Sequence, residues 1–255
     1  MDSDLPVAIV EKIRARTPAR LLAGHRGGAY LTSTQLELRA AHAAARDAVR
    51  TEFDLEQHLG RELTEKFGIF EAHTQANSKD EYLLRPDLGR SLSVESQREI
   101  AIQCVREADL QIVIGDGLST TAVAAQVPAL LPLLMQGAVA REWTVSKPFA
   151  VRFCRVGVLN NIGDLLRPRV AVLLIGERPG LATAESLSAY MAYRPRSRHT
   201  DADRNLISNI HSRGVQLDEA ATRILNLAAK LMALQSSGVN VREELPTGVS
   251  GQIHT

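Results

Sequence analysis

Aromatic side chains are scarce in this 255-residue chain: Phe, Tyr and Trp make up 4% of it, with a single tryptophan. A core must therefore be filled by aliphatic residues, and a hydrophobic content of 45% supplies them. Cysteine is nearly as rare. Cys104 and Cys154 lie far apart in apolar stretches, which excludes a disulfide scaffold and offers no CxxC or Cys/His spacing for zinc. Two buried thiols in a reducing cytoplasm are expected. Charge of one sign is not in excess either: 30 basic and 29 acidic side chains leave a formal net charge of +1. Bulk electrostatics thus favours neither nucleic acid nor a membrane surface as partner. No run approaches the length of a membrane span, and MDSDLPVAIVEKIRARTPAR lacks the apolar stretch of a signal peptide, so a cytosolic location is expected. HExxH, GxxxxGK[ST], GxSxG and paired acids at hydrolase spacing are all missing. Neither a self-contained catalytic site nor a metal site is expected in this chain.

What is present reads first as helix. VAIVEKIRAR suits a short helix stopped before Pro18, and GHRGG (24–28) marks a loop. Thr34 with Glu37 forms a capping-box pattern that opens TQLELRAAHAAARDAVR, and LEQHLGRELTEKFG suits a further helix before a polar segment at 73–81. From about residue 92 helices and strands alternate. VESQREIAIQCVREA is helical, LQIVIGDGLS a strand and turn, and TTAVAAQVPALLPLLMQGA a helix with a proline-marked interruption. KPFAVRFCRVGV, RVAVLLIGERPG and ESLSAYMAYRP read as strands, with IGDLL as a helical turn. LDEAATRILNLAAKLMALQSSG closes the pattern, with Gly238 placed as its C-terminal cap, and a loose tail runs from about 243. The expected fold class is α/β: a mainly helical N-terminal domain (1–91), then a Rossmann-like, mostly parallel domain (92–242), then a flexible tail (243–255).

Sites in such sheets gather in the crevice at the carboxyl ends of the strands. Two motifs lie there. GDGLST (115–120) follows a strand and resembles the start of GxGxxG, but Thr120 replaces the third glycine and no acid follows at the required distance. A tight turn with Asp116 or Ser119 capping the next helix is the simpler expectation. In IGERPG, Glu177 and Arg178 read equally as a local ion pair or as a carboxylate offered to a polar ligand. NIHSRG (209–214) resembles DxHxxG, whose histidine ligates the cobalt of cobalamin. Asn209 stands in the aspartate position here, so a loop histidine bonded to backbone is expected. His42 and Asp47 are five residues apart on one helix, do not share a face and read as structural or partner-directed.

Taken in order, HAAARDAV (42–49), YLLRPDLGRSL (82–92), IGDGLST (114–120), FAVRFCRVGV (149–158), IGDLL (162–166), LLIGERPGL (173–181), ESLSAYMAY (185–193) and DRNLISNIH (203–211) resemble one family, the small subunit of ethanolamine ammonia-lyase. The resemblance covers most of residues 34–240. It implies an adenosylcobalamin-dependent lyase that converts ethanolamine to acetaldehyde and ammonia by radical chemistry. A large TIM-barrel subunit holds ethanolamine and most catalytic groups, and the small subunit cups cobalamin at the interface. Heterodimers then associate further.

The same resemblance implies that the cofactor keeps its own base on cobalt, so His211 is no ligand. It places cofactor contacts at Val156, Glu177 and Leu206, the last falling where relatives can carry cysteine. Glycines of IGERPG would let the backbone turn beneath the ring. GHRGG departs from the GRAG of relatives, and no function is carried there. Relatives can carry a longer N-terminal extension linked to packaging in a bacterial microcompartment, whereas this chain begins a few residues before VAIVEKIRAR. Two other readings compete: a free-standing nucleotide-binding enzyme of Rossmann type, and a scaffold subunit that never touches cobalamin.

Overall fold

A computed structural model describes residues 7–16, 25–26, 28–179 and 183–243. Pro18, part of GHRGG, Gly180 and Leu181 of the IGERPGL motif, and the tail from 244 lie outside them. In chain order the elements are α1 (Val7–Arg16), β1 (His25–Arg26), β2 (Ala29–Tyr30), α2 (Thr32–Arg50), α3 (Leu55–Leu59), α4 (Arg61–Phe67), β3 (Phe70–His73), α5 (Lys79–Leu84) and α6 (Val94–Gln103). They continue as β4 (Leu110–Gly115), α7 (Thr120–Val139), β5 (Phe149–Arg152), α8 (Val158–Leu166), β6 (Val170–Gly176), β7 (Leu187–Tyr193), β8 (Asn205–Ile210) and α9 (Leu217–Leu234). Apart from the small β1–β2 hairpin, the strands form one six-stranded sheet in the spatial order β3-β5-β4-β6-β7-β8. β3, β5, β4 and β6 run parallel; β7 and β8 are antiparallel to their neighbours.

The hydrophobic runs explain the middle of this sheet. Every residue of β4 (LQIVIG) and β6 (VAVLLIG) is buried, as strands covered on both faces require. On one face lie α3, α4, α7 and α9, where Leu130, Leu131 and Leu134 of α7 meet Ile224, Leu227, Ala228 and Leu231 of α9. On the other lie α6 and α8, with Ile100, Leu159 and Ile162 over Val113, Val151 and Leu173. The result is a three-layer α/β/α arrangement. α7 is long and apolar enough to cross a membrane, contrary to the expectation that no run would be. Here it is a core helix, walled in by the sheet and α9.

Other expectations give way for local reasons. α7 runs unbroken through Pro128 and Pro132, because burial of its apolar surface outweighs the two lost N–H groups. Thr34 lies inside α2, which starts at Thr32 without a side-chain cap, so the capping box does not form. LEQHLGRELTEKFG is two helices, broken at Gly60 with φ +83. α9 ends on Gln235 in the left-handed conformation, and Gly238, φ +89, serves the following turn. Two strands carry no sequence warning: β3, between the stretch read as helix and the polar segment, and β8, which runs up to the loop expected around His211. Leu59, Leu63 and Phe67 of the first helices join the core beneath α7. Glu243, where a loose tail is expected to begin, holds Arg223 in a two-pronged ion pair at 2.6 and 2.8 Å.

Candidate functional site

β4 hands the chain to α7 on one face of the sheet, and β5 hands it to α8 on the other. Their carboxyl ends therefore diverge, and a crevice opens where they part. A cleft of about 330 Å³ lies there, walled by Leu118 after β4, Val156 after β5, and Ile175 and Glu177 at the end of β6, with Tyr82 and Tyr190 completing it. It runs on into a larger cleft of about 760 Å³ that shares Arg155, Val156 and Tyr190.

A buried polar knot sets the wall that carries Val156. Asp116, the residue after β4, accepts the N–H groups of Phe153 at 2.9 Å and Cys154 at 2.8 Å. Those bonds hold Phe153 at φ +56, a conformation bulky residues seldom adopt. Lys79 of α5 approaches the same carboxylate at 3.8 Å and donates to the Gly117 carbonyl at 3.3 Å. Burial pushes the Asp116 carboxyl up and the Lys79 ammonium down, each opposed by the other's charge. Tyr82 donates its hydroxyl to the Cys154 carbonyl at 3.0 Å, and burial raises that phenol far above its ordinary range. Ser119 caps α7 by accepting the Ala122 N–H at 3.2 Å, so GDGLST is a turn and helix cap.

Glycine is demanded where the turns after β4 and β6 touch. A Cβ on Gly176 would stand 1.9 Å from the Ser119 carbonyl oxygen, and one on Gly117, at φ +56, would stand 2.3 Å from the Gly176 oxygen. Close approach of two backbones is thus the immediate reason for the first glycine of IGERPG, before any ligand is considered.

Val156 and Glu177, expected from sequence to act together, do share this cleft. Val156 is half-buried against the α8-side core and lines both clefts. Glu177 donates its N–H to the Ser186 carbonyl at 3.0 Å, and its carboxylate accepts from the hydroxyls of Ser186, at 3.0 Å, and Ser188. Its described partners are these serines and not Arg178, so the local ion pair does not form. Leu206 is set apart. It sits within β8 opposite Tyr190, 45% exposed, and lines neither cleft, although its strand partner Tyr190 lines both. His211 is buried in a turn with its Nδ1 facing the Arg213 N–H at 3.2 Å, as a backbone-bonded loop histidine should be.

A sequence profile described as ethanolamine ammonia-lyase light chain (EutC) matches residues 8–242. The chain belongs to this family. It is similar to the ethanolamine ammonia-lyase small subunit of Clostridium acetobutylicum, with 36% identity over 239 residues, covering 94% of this chain and 96% of the relative. The small subunits of Clostridium perfringens and Fusobacterium nucleatum are 39% and 37% identical over 231 residues, each alignment covering 91% of this chain and 76% of the relative.

As a light chain of that lyase, it need not carry the whole reaction. Among the described residues no group of three or more His, Cys, Asp or Glu could hold a metal ion. Cys154, the thiol nearest the cleft, is buried, with burial and the Asp116 charge pushing it far up. What the cleft offers is binding: an apolar floor of Val156, Ile175 and Leu118, and one carboxylate at the rim. Sequence inspection singled out that rim but missed Lys79, Tyr82 and Tyr190, whose partners are remote in the chain.

Proposed function

We propose that this small subunit cups the corrin ring of adenosylcobalamin against a large subunit, so that ethanolamine held by that partner becomes acetaldehyde and ammonia. One observation carries the proposal: Val156 and Glu177, brought from different strand ends, meet in a single crevice at the switch point of the sheet. The residues suit the group. An ionised carboxylate has about four acceptor positions, and Ser186 and Ser188 use two of those on Glu177, leaving room for amide donors on the rim of a corrin. Val156 and Tyr190 present apolar surface to a broad ring, and Leu206, beside Tyr190, extends it. His211 is buried and engaged with its own turn, which supports a cofactor that retains its own base on cobalt.

When bound, adenosylcobalamin supplies the radical that starts the rearrangement. This chain's part is to hold the ring through Val156, Leu206 and Glu177 and to keep water from that side. Among the described residues of the cleft none pairs a nucleophile with a base, in keeping with a reading in which groups of the large subunit act on ethanolamine. The heterodimers associate further, in the cytoplasm or packaged there in a bacterial microcompartment.

The test is cobalamin affinity of the co-expressed two-subunit complex, followed by spectral titration, with assembly checked by size-exclusion chromatography. Glu177→Ala removes charge-assisted hydrogen bonds and should weaken binding about tenfold or more while the complex stays intact. An intact complex with unaltered affinity would instead make this chain a scaffold that never touches the cofactor.

A further inference from the structure

Beyond Tyr190 and Val156 the larger cleft changes character. Arg90, Arg155 and Arg204 line it together with His199, against one carboxylate, Asp201. Arg204 has a side chain only 4% exposed. One Nη meets Asp201 and the other donates to Asn160 Oδ1 at 2.9 Å, but its Nε has no acceptor. Arg155 packs its guanidinium 4.2 Å over the Tyr82 ring, and its Nε is likewise without a partner. The Nδ1 of His199 is a third such atom. Buried polar atoms are nearly always satisfied. Here the two guanidinium Nε atoms belong to residues from two chain segments, after β5 and before β8, that line the same cationic cleft, which points to an acceptor absent from it.

Guanidinium groups match oxyanions through paired N–H donors. Donors converging from several directions suit a tetrahedral anion, whose oxygens spread out of one plane, better than a carboxylate, whose acceptor positions lie close to a single plane. The cleft of about 760 Å³ is far larger than a bare anion needs, so the anion is part of a larger molecule or shares the space with water. We infer that this cleft binds a phosphate group through Arg90, Arg155 and Arg204. Two sources fit that chemistry: the phosphodiester in the nucleotide loop of cobalamin, or free inorganic phosphate. The first rests on the cobalamin-cupping proposal, since Arg155, Val156 and Tyr190 are common to both clefts.

The experiment uses the co-expressed complex without cofactor and three probes: cobinamide, which lacks the phosphate, cobinamide phosphate, and inorganic phosphate followed by ³¹P nuclear magnetic resonance. Cobinamide phosphate should bind about tenfold or more tightly than cobinamide. Arg204→Gln and Arg90→Gln should each shrink that gap and leave cobinamide affinity within about twofold. Arg90 is exposed, so its variant keeps the test decisive if loss of the buried Arg204 disturbs folding. Inorganic phosphate that competes with cobinamide phosphate but not with cobinamide assigns the site to the cofactor. Saturable, arginine-dependent phosphate binding without such competition, and with no gain for cobinamide phosphate, assigns it to the free anion. If neither phosphate probe binds in an arginine-dependent way, because large-subunit carboxylates fill the cleft or for any other reason, the inference is overturned. Failure of the cupping proposal reads out separately, as a Glu177→Ala complex whose cobinamide affinity is unaltered.

Discussion

Replacing Asp116 by alanine tests whether the polar knot behind the cleft is a structural keystone. The carboxylate is 1% exposed and accepts two backbone N–H groups while facing a lysine that is itself only 7% exposed. Asp116→Ala strands both N–H groups, at about 1–3 kcal/mol each when left without an acceptor. It also leaves the Lys79 ammonium unpaired in the interior. Breaking one side of a buried ion pair costs about 3–5 kcal/mol, and the two routes to a figure overlap rather than add. The expected loss is therefore about 3–5 kcal/mol. Asp116→Asn keeps one acceptor and should lose roughly half as much. Lys79→Met placed on the alanine variant removes the unpaired charge and should recover about 1 kcal/mol or more. Urea unfolding of the purified chain can be followed through Trp143, the only tryptophan, which packs against the α7-side core. A loss under about 1 kcal/mol for the alanine variant, or no recovery in the double variant, would refute the reasoning.

Three further outcomes follow from the geometry. Gly176→Ala forces a methyl against the Ser119 carbonyl at 1.9 Å, with backbone on both sides and no flexible tip to yield, so it should cost about 3 kcal/mol or more in the same assay. Cys104 and Cys154 are buried, and burial pushes the Cys104 thiol up to about 11; an aromatic disulfide reagent at pH 8 should label neither until urea unfolds the chain, and fast labelling of the native protein would count against that burial. Asp109 is pulled below the ordinary 3.8 because Thr144 and Arg169 outweigh its partial desolvation. Its folded value is depressed, so its contribution is complete above 3.8 and disappears as pH falls through the lower folded value. Asp109→Asn should thus flatten the acid side of the stability profile and leave the urea midpoint at pH 3 closer to that at pH 6 than in the parent chain.

The centre of the fold was legible because burial on both faces writes itself into consecutive aliphatic residues, as in LQIVIG and VAVLLIG. The edges were not. β3 has four residues, one of them fully buried, and pairs with a single neighbour; β8 alternates half-heartedly, with Leu206 and Asn209 outward. Direction was hidden as well: LSAYMAY looks the same run parallel or antiparallel, and only its register with β6 shows that it returns. The prolines of α7 suggested a break because sequence cannot weigh a lost N–H against buried leucines. In the site, Glu177 stood out as an acid at the end of a greasy strand. The knot of Lys79, Tyr82 and Asp116 gave no such sign, since its members gain meaning only from one another.

The walls of the two clefts come from stretches scattered between Tyr82 and Arg204, about half of the described chain. No fragment made early in translation holds even one complete side of the crevice. Tyr190, the last in the chain of the three residues common to both clefts, leaves the ribosome long after Tyr82, and bringing the two together is a long-range closure. The two clefts together therefore lack their full lining until the chain has been made through Arg204 and folded back onto Tyr82.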